Sequence, residues 1–372
     1  MLYPLKFRSV YKHYLWGGRA LAGHGKILPD QVQVAESWEI SGHPNGLSVV
    51  ANGPLAGTAL PDVIRLWGSG LMGSLPADPQ RFPLLIKLID AHESLSVQVH
   101  PDDAYALAHE GEPGKNEMWY VVAAAPDARL IAGVKPGVKR ADFALALADG
   151  SCLDLLQSLP VKAGDVVNIP AGLVHAIGPG LVICEVQQNS DTTYRVFDYN
   201  RRDAQGLTRP LHTDKALDVI SFDRSGPALI RGVTVRSPGL AQRSLVLNRY
   251  FLVEELAVDG SAAFAAEDTR FVCLTVLAGQ GQLDWDGSGP EGPMPLTMGE
   301  SILLPAGLSR WQISGRLLLL SARPAEWPAD AGRLAQRAGF APATKLVDPT
   351  RDALAWLRQQ QDQGRLGIDP TG

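Results

Sequence analysis

The stretch Ser94-Leu95-Ser96-Val97-Gln98-Val99-His100-Pro101 alternates polar and apolar residues. As an extended strand it puts Ser94, Ser96, Gln98 and His100 on one face and Leu95, Val97 and Val99 on the other. In a small barrel the inward face is normally apolar, so such a row marks either a solvated face or a polar cavity. Glu117 follows in Gly114-Lys115-Asn116-Glu117-Met118-Trp119-Tyr120, where Lys115 and Glu117 share a face; taken alone, a cross-strand ion pair explains them. His175 comes after the turn Pro170-Ala171-Gly172-Leu173, where a lone His is ordinarily structural. Together, two imidazoles, one carboxylate and one amide oxygen suit a divalent metal of borderline hardness, with zinc first. A single anionic ligand leaves such a centre net positive, able to polarise a carbonyl or hydroxyl oxygen at an open position.

The elements that must position these groups are mostly strands. Gly (38) and Pro (27) punctuate short apolar runs among the 372 residues: Phe82 to Ile89, Met118 to Ala123, Asp165 to Ile169 and Leu181 to Val186. That pattern predicts a sandwich or barrel. Helical spacing appears in Asp102 to Glu110, in Arg140 to Leu159 as two helices broken at Asp149-Gly150, and in Pro349 to Gln363. Asp102-Asp103 reads as a helix N-terminus. Residues 164–175, GDVVNIPAGLVH, are echoed by 299–310, GESILLPAGLSR, which predicts a repeated strand–turn–strand unit. The copies differ at the end, His175 against Arg310, and residues 260–300 hold no His. The expected organisation is a metal-binding β-domain over residues 1–220 with helical insertions (about 102–110 and 140–159), a second, metal-free one over 221–322, and a partly helical extension over 323–372.

Composition narrows the function classes. Lys plus Arg is 34 and Asp plus Glu 39, a formal charge of −5 without a basic run, which disfavours nucleic-acid binding by phosphate neutralisation. Three scattered cysteines (Cys152, Cys184, Cys273) with no CxxC pair argue against a disulfide scaffold and for a reducing compartment. The N-terminus lacks an apolar secretory stretch and no run approaches the roughly 20 residues of a membrane span. The expectation is a cytoplasmic protein with no membrane partner; oligomeric state is not legible.

The blocks FPLLIKLIDAHESLSVQVHPDD, GKNEMWYV, IPAGLVHAIGPG and EVQQNSDTTYRVFDYNR, with Lys12, Trp16-Gly17-Gly18 and Glu36-Ser37-Trp38-Glu39 upstream, resemble the type I phosphomannose isomerases, in the short bacterial branch of that cupin family. The resemblance spans about residues 1 to 320. It implies a mainly β fold of two cupin-like (jelly-roll) barrels and a zinc-dependent interconversion of mannose 6-phosphate and fructose 6-phosphate. It also implies Gln98, His100, Glu117 and His175 as metal ligands, Arg195 as an active-site arginine, Lys115 beside the metal, and Lys87 and Ser96 as candidates for the substrate phosphate.

Aldose–ketose isomerisation needs a base beside C2 and positive charge on the developing oxyanion of an enediolate, and Arg195 suits the second task. Two residues compete as base. In Leu181-Val182-Ile183-Cys184-Glu185-Val186-Gln187, Glu185 shares a face with Leu181, Ile183 and Gln187; burial in the barrel would raise its pKa. Lys115 is the other. Lys87 interrupts an apolar run, so it lies either at an edge, snorkelling to water, or in a polar cavity. Arg201-Arg202 is a rival cationic pair, with a solvated loop as the plainer reading. His92, His109 and His212 lack a partner pattern, and Trp16 and Trp38 read as core. Three alternatives compete: an isomerase of another phosphosugar or free aldose, a non-catalytic sugar-phosphate-binding regulator, and a metal-dependent dioxygenase, disfavoured by Gln98 in a ligand position.

Overall fold

Apolar runs without a polar alternate belong to strands covered on both sides, and two such runs are the centre of this molecule. In the computed structural model, which describes residues 1–76, 78–203, 205–223, 229–265, 269–288, 292–327 and 329–337, strands Leu84–Ala91 and Leu181–Gln188 are buried at every position. They pair with each other in an antiparallel six-stranded sheet, in the order Val166–Ile169, Glu117–Ala124, Leu181–Gln188, Leu84–Ala91, Glu36–Ser41, Val10–Lys12.

Each face of that sheet has its own partner. Ile89, Trp119, Val121, Leu181 and Ile183 pack towards Leu95 and towards Leu130 and Ile177 of a five-stranded sheet, ordered Tyr194–Phe197, Val97–Val99, His175–Ile177, Arg129–Val134, Leu156–Pro160. These two sheets close the first barrel. Residues of opposite parity, among them Leu84, Ile86, Leu88, Val182, Cys184 and Val186, pack on Leu245, Phe251 and Leu303 of a nine-stranded sheet and on Phe271 just before its strand Val272–Trp285. At about 1.5–3 kcal/mol per fully buried large apolar side chain, this shared wall is a major source of cohesion. The N-terminus stitches the halves further: Leu5–Arg8 pairs with Ser301–Leu304 and with Val49–Val50 inside the nine-stranded sheet.

The internal echo is a repeated unit in space. Gly164 and Gly299, at φ +86° and +87°, make left-handed turns suited to glycine, followed by strands Val166–Ile169 and Ser301–Leu304 and then by strands starting at His175 and Arg310. Register extends the comparison. Ile169 lies opposite Glu117, and its counterpart Leu304 lies opposite Val272. The second barrel carries Val where the first has the carboxylate, and its interior is filled by Leu256, Leu274, Val276, Ile302, Ile313 and Leu319.

Helices Asp103–His109, Arg140–Asp149 and Thr213–Val219 belong to the first barrel, and the last two cover the outer face of its five-stranded sheet through Phe143, Ala146 and Ala216. Asp102 caps the first, accepting from Tyr105 N at 2.9 Å. The second helix expected in Arg140 to Leu159 is not one. Gly150, at φ +84°, ends the first helix, Cys152–Leu155 makes a 3-10 turn, and Leu156–Pro160 pairs as an edge strand with Arg129–Val134. In Leu156-Gln157-Ser158-Leu159-Pro160 the available sheet edge outweighs local helical preference. The helix expected over 349–363 lies outside the described residues. No helix among the described residues is long and apolar enough to cross a membrane.

The extension begins with helix Ala329–Arg337, anchored by a buried ion pair. Arg270, fully buried, meets Asp330 through Nη1–Oδ2 at 2.5 Å and Nη2–Oδ1 at 2.9 Å, and Nη1 also donates to the Pro324 carbonyl. Burial would raise the Asp330 pKa, but Arg270 and Arg333 outweigh it and hold the group at about 2. Removing one partner strands the other charge, so Asp330→Ala is expected to cost about 3–5 kcal/mol, read as a lower urea midpoint. Because this carboxyl is depressed in the fold, its contribution is present above pH ~4 and lost as pH falls towards 2; the variant should lose that part of the acid dependence.

Candidate metal centre

Two rows of side chains, one from each sheet of the first barrel, are set by strand register. On the five-stranded sheet Arg195 lies opposite Gln98, and Gln98 opposite His175. On the six-stranded sheet the row is Trp119, Glu185, Lys87 and Trp38, with Glu117 opposite Gln187 one step along. The rows meet inside the barrel, where the Trp119 and His175 ring centroids are 5.3 Å apart. The alternation in Ser94–Pro101 therefore faces a cavity wall and not solvent: Ser96 and His100 are buried, with Val97 and Val99 on the opposite, apolar side.

His100, Glu117 and His175 converge so that one donor atom from each lies within 4.8 Å of the others. Glu117 Oε1 is 3.2 Å from His100 Nε2, and Oε2 is 3.8 Å from His175 Nε2. Each imidazole is oriented from behind by a backbone carbonyl: His100 Nδ1 is 3.0 Å from Thr192 O and His175 Nδ1 is 2.7 Å from Leu173 O. A carbonyl can only accept, so both Nδ1 atoms carry the proton and both Nε2 lone pairs point at Glu117. The Gln98 amide reaches His175 Nε2 at 3.4 Å, and rotation about its last bond turns its oxygen into the cluster.

The electrostatics suit a cation here. Burial lowers both imidazole pKa values, that of His175 to about 3 with help from His100 and that of His100 with help from Lys115; both rings are neutral, as ligands must be. Burial alone would raise Glu117, but Lys115, His100 and His175 outweigh it and hold the carboxyl well below its usual range. Neither Glu117 oxygen receives a hydrogen bond although both are buried; Lys115 Nζ stands 2.8 Å from Oε1. An ionised, buried carboxylate without hydrogen bonds, facing two imidazole lone pairs, is a donor set made for a divalent metal.

Glu185 is also buried, with Oε2 accepting from Trp119 Nε1 at 2.8 Å and Oε1 3.1 Å from Lys87 Nζ. Burial and Glu117 raise its pKa, while Lys87 and Lys115 pull the other way. Lys87 does lie in a polar cavity, but its charge is already matched. Besides Glu185 it faces Glu36 at 3.7 Å and lies 5.2 Å from the Trp38 ring; the two carboxylates outweigh burial and raise its pKa. Arg195 is half-buried, its Nη1 donating to Pro210 O at 3.0 Å and its backbone N to His212 Nδ1 at 3.2 Å. His212 thus steadies the arginine strand, while Trp16 packs in the apolar core and Trp38, also buried, stands beside Lys87 in the inner row.

Sequence reading missed one supporting residue, Glu112. Its Oε1 is 3.0 Å from His43 Nε2, and its Oε2 accepts from Ser190 Oγ, Asp191 N and Thr192 Oγ1 at 3.1–3.2 Å. It fixes the loop whose Thr192 carbonyl orients His100. A Glu in the Gly/Pro turn around residue 112 gives no local sign of this. Glu112→Gln is expected to weaken metal binding about 10- to 100-fold, measured by competition with a chromogenic chelator; unchanged affinity would show that the loop holds its shape without the carboxylate.

Two family models match the chain: phosphomannose isomerase type I, catalytic domain, over residues 4–121, and mannose-6-phosphate isomerase, cupin domain, over residues 242–324. A mannose-6-phosphate isomerase of Streptococcus mutans is 39% identical over 327 residues, which cover 88% of this chain and all of the relative. One of Bacillus subtilis is 40% identical, over 84% of this chain and 96% of the relative. The crystal structure of the mannose 6-phosphate isomerase from Bacillus subtilis superposes with a TM-score of 0.78 at 35% identity, covering 86% of this chain and 99% of that one. A phosphomannose isomerase structure from Salmonella typhimurium, at 17% identity and TM-score 0.68, shares the fold.

Proposed function

From the membership of this chain in the type I phosphomannose isomerase family, to which it belongs by sequence over most of its length, we propose that it interconverts mannose 6-phosphate and fructose 6-phosphate through an enediolate. Zinc is the proposed metal, one per chain, held by Gln98, His100, Glu117 and His175. The observation that carries this reading is the buried, ionised Glu117 between two Nε2 atoms, beside a second buried carboxyl whose pKa is raised.

When bound, zinc supplies fixed positive charge where an oxyanion develops. The remaining work falls to the chain. Glu185 lies two residues from Gln187, the register partner of Glu117, hence roughly 7 Å along the strand on the same face. At that spacing its carboxylate can take the C2 proton of the open-chain sugar and return it to C1, so no outside oxidant or reductant is needed. Its pKa is raised by burial, which makes it a stronger base than a solvated carboxylate. Lys115, beside the ligands, stands as the alternative base and as a proton donor to the sugar oxygens. Arg195, next to Gln98, stays protonated and stabilises the enediolate. Trp119 and Lys87 fix the Glu185 carboxylate in place.

The division of labour follows. Residues 1–220 carry the metal and the proton transfer, and 221–322 form a second barrel without a metal that covers the outer face of the shared sheet. A reducing, cytoplasmic setting fits the three buried free thiols Cys152, Cys184 and Cys273.

A coupled assay for fructose 6-phosphate made from mannose 6-phosphate, before and after chelation and with zinc added back, tests the assignment. Activity lost and restored supports it; a zinc-loaded but inactive protein would move the reaction to another phosphosugar. Glu185→Gln should lower kcat by about 10²- to 10⁴-fold with full metal content; near-normal turnover would exclude Glu185 as the base.

A further inference from the structure

Tyr250 stands in the second barrel, in the turn that joins its strands Leu240–Leu247 and Phe251–Ala265. Its backbone is fixed there. Asn248 Oδ1 accepts Tyr250 N at 2.8 Å and Phe251 N at 3.0 Å, and Asn248 N donates to Phe251 O at 3.1 Å. The phenol crosses to the first barrel and donates to Asp103 Oδ2 at 2.8 Å. Burial and the Asp103 carboxylate raise the Tyr250 pKa, so the proton stays on the phenol.

From Asp103 the hydrogen bonds continue inward. Asp103 Oδ1 accepts Gly114 N at 2.9 Å and Gln188 Nε2 at 3.0 Å. Gln188 Oε1 accepts Asn116 N at 3.0 Å and Asn116 Nδ2 at 2.7 Å, and Gln188 N donates to Asn116 O at 3.1 Å. Asn116 Oδ1 in turn accepts Ala171 N at 3.0 Å. A carboxylate only accepts and a backbone N–H only donates, so each of the two amides has one workable orientation. Gln188 and Asn116 are buried, where a bond lost from such a chain leaves a polar group unmatched.

The inner end of the chain holds the metal ligands. Asn116 directly precedes Glu117, about 3.8 Å away along the backbone. Ala171 lies in the turn whose Leu173 carbonyl orients His175 and whose Gly172 N donates to His100 O at 2.9 Å. The apolar wall between the barrels supplies cohesion without direction, whereas these bonds set distance and angle one residue from the carboxylate ligand. We propose that Tyr250 is a positioning residue for the metal centre, acting through Asp103, Gln188 and Asn116. The second barrel thereby tunes a centre that lies wholly in the first. This deepens the metal-centre reading and rests on it.

The test measures the zinc dissociation constant, by competition with a chromogenic chelator, and the urea midpoint in the full chain. The variants are Tyr250→Phe, Asp103→Ala, the two combined, and Phe251→Leu. Tyr250→Phe removes the hydroxyl and keeps the ring; it is expected to raise the zinc dissociation constant about 3- to 10-fold. Asp103→Ala should raise it about 10- to 100-fold. The combined variant should match Asp103→Ala alone, because the two residues act in series. Phe251→Leu trims the core of the same hairpin, so it should lower the urea midpoint with zinc affinity unchanged, which separates positioning from loss of stability. The proposal is overturned if Tyr250→Phe stays within about 1.5-fold of the unaltered chain. It is equally overturned if Tyr250→Phe weakens zinc by the same factor with and without Asp103, or if Phe251→Leu weakens zinc as much. An unaltered chain that binds zinc but does not isomerise mannose 6-phosphate would end the reaction assignment and leave this comparison to decide the role of Tyr250. One that binds no zinc refutes the metal centre and the proposal together.

Discussion

A carboxylate buried without a hydrogen bond is the constraint around which the first barrel is arranged. Glu117 has been taken out of water with neither oxygen hydrogen-bonded, a state that costs several kcal/mol unless cations or a metal face it. Lys115 supplies one such charge at 2.8 Å, and two neutral imidazoles aim their lone pairs at the same point. Those lone pairs are useful only because Thr192 and Leu173 carbonyls fix the ring tautomers. The Thr192 loop depends in turn on Glu112 and, through it, on His43.

The same barrel must tolerate this polarity without losing its core, and the six-stranded sheet resolves the conflict. Its one face carries Glu117, Glu185, Lys87 and Trp38 towards the cavity. Its other face presents Val182, Cys184, Val186, Leu84 and Ile86 to the second barrel. Cohesion is thus built on the side away from the chemistry, and the inner face pairs its charges: Lys87 against Glu185 and Glu36, Lys115 against Glu117. The second barrel, with Val272 at the register of Glu117, fills much of its interior with leucine and isoleucine and buries the carboxylate of Glu254 against Arg323, 2.7 Å away, with no imidazole beside it.

Much was legible from local pattern. The side-chain direction along a strand is a property of the strand alone, so the alternation in Val97–His100 and in Leu181–Gln187 assigned faces correctly before any partner was known; Leu95, expected beside Val97 and Val99, precedes the strand and packs inside the barrel among Ile89, Trp119 and Ile177. The repeated Gly-acid turn and Pro-Ala-Gly-Leu segment likewise identified matching units, because left-handed turns and strand lengths are encoded within a few residues. Leu156–Pro160 went the other way: its leucines also suit a helix, and only the open edge of Arg129–Val134 made it a strand.

By itself, then, the sequence singled out His100, Glu117 and His175 as candidate ligands, the faces of the first two, and the copy in which Arg310 stands in place of His175. It could not determine how charges are shared, since that depends on contacts between segments far apart along the chain. Whether Lys87 is a free cation was decided by Glu36 and Glu185, 51 residues before it and 98 after it. The carbonyl that orients His100 lies 92 residues away. Arg209 met Asp198 only when the turn after Phe197 folded it back. Coulomb energies and hydrogen bonds depend on distance in space, and only closure of the barrel sets those distances.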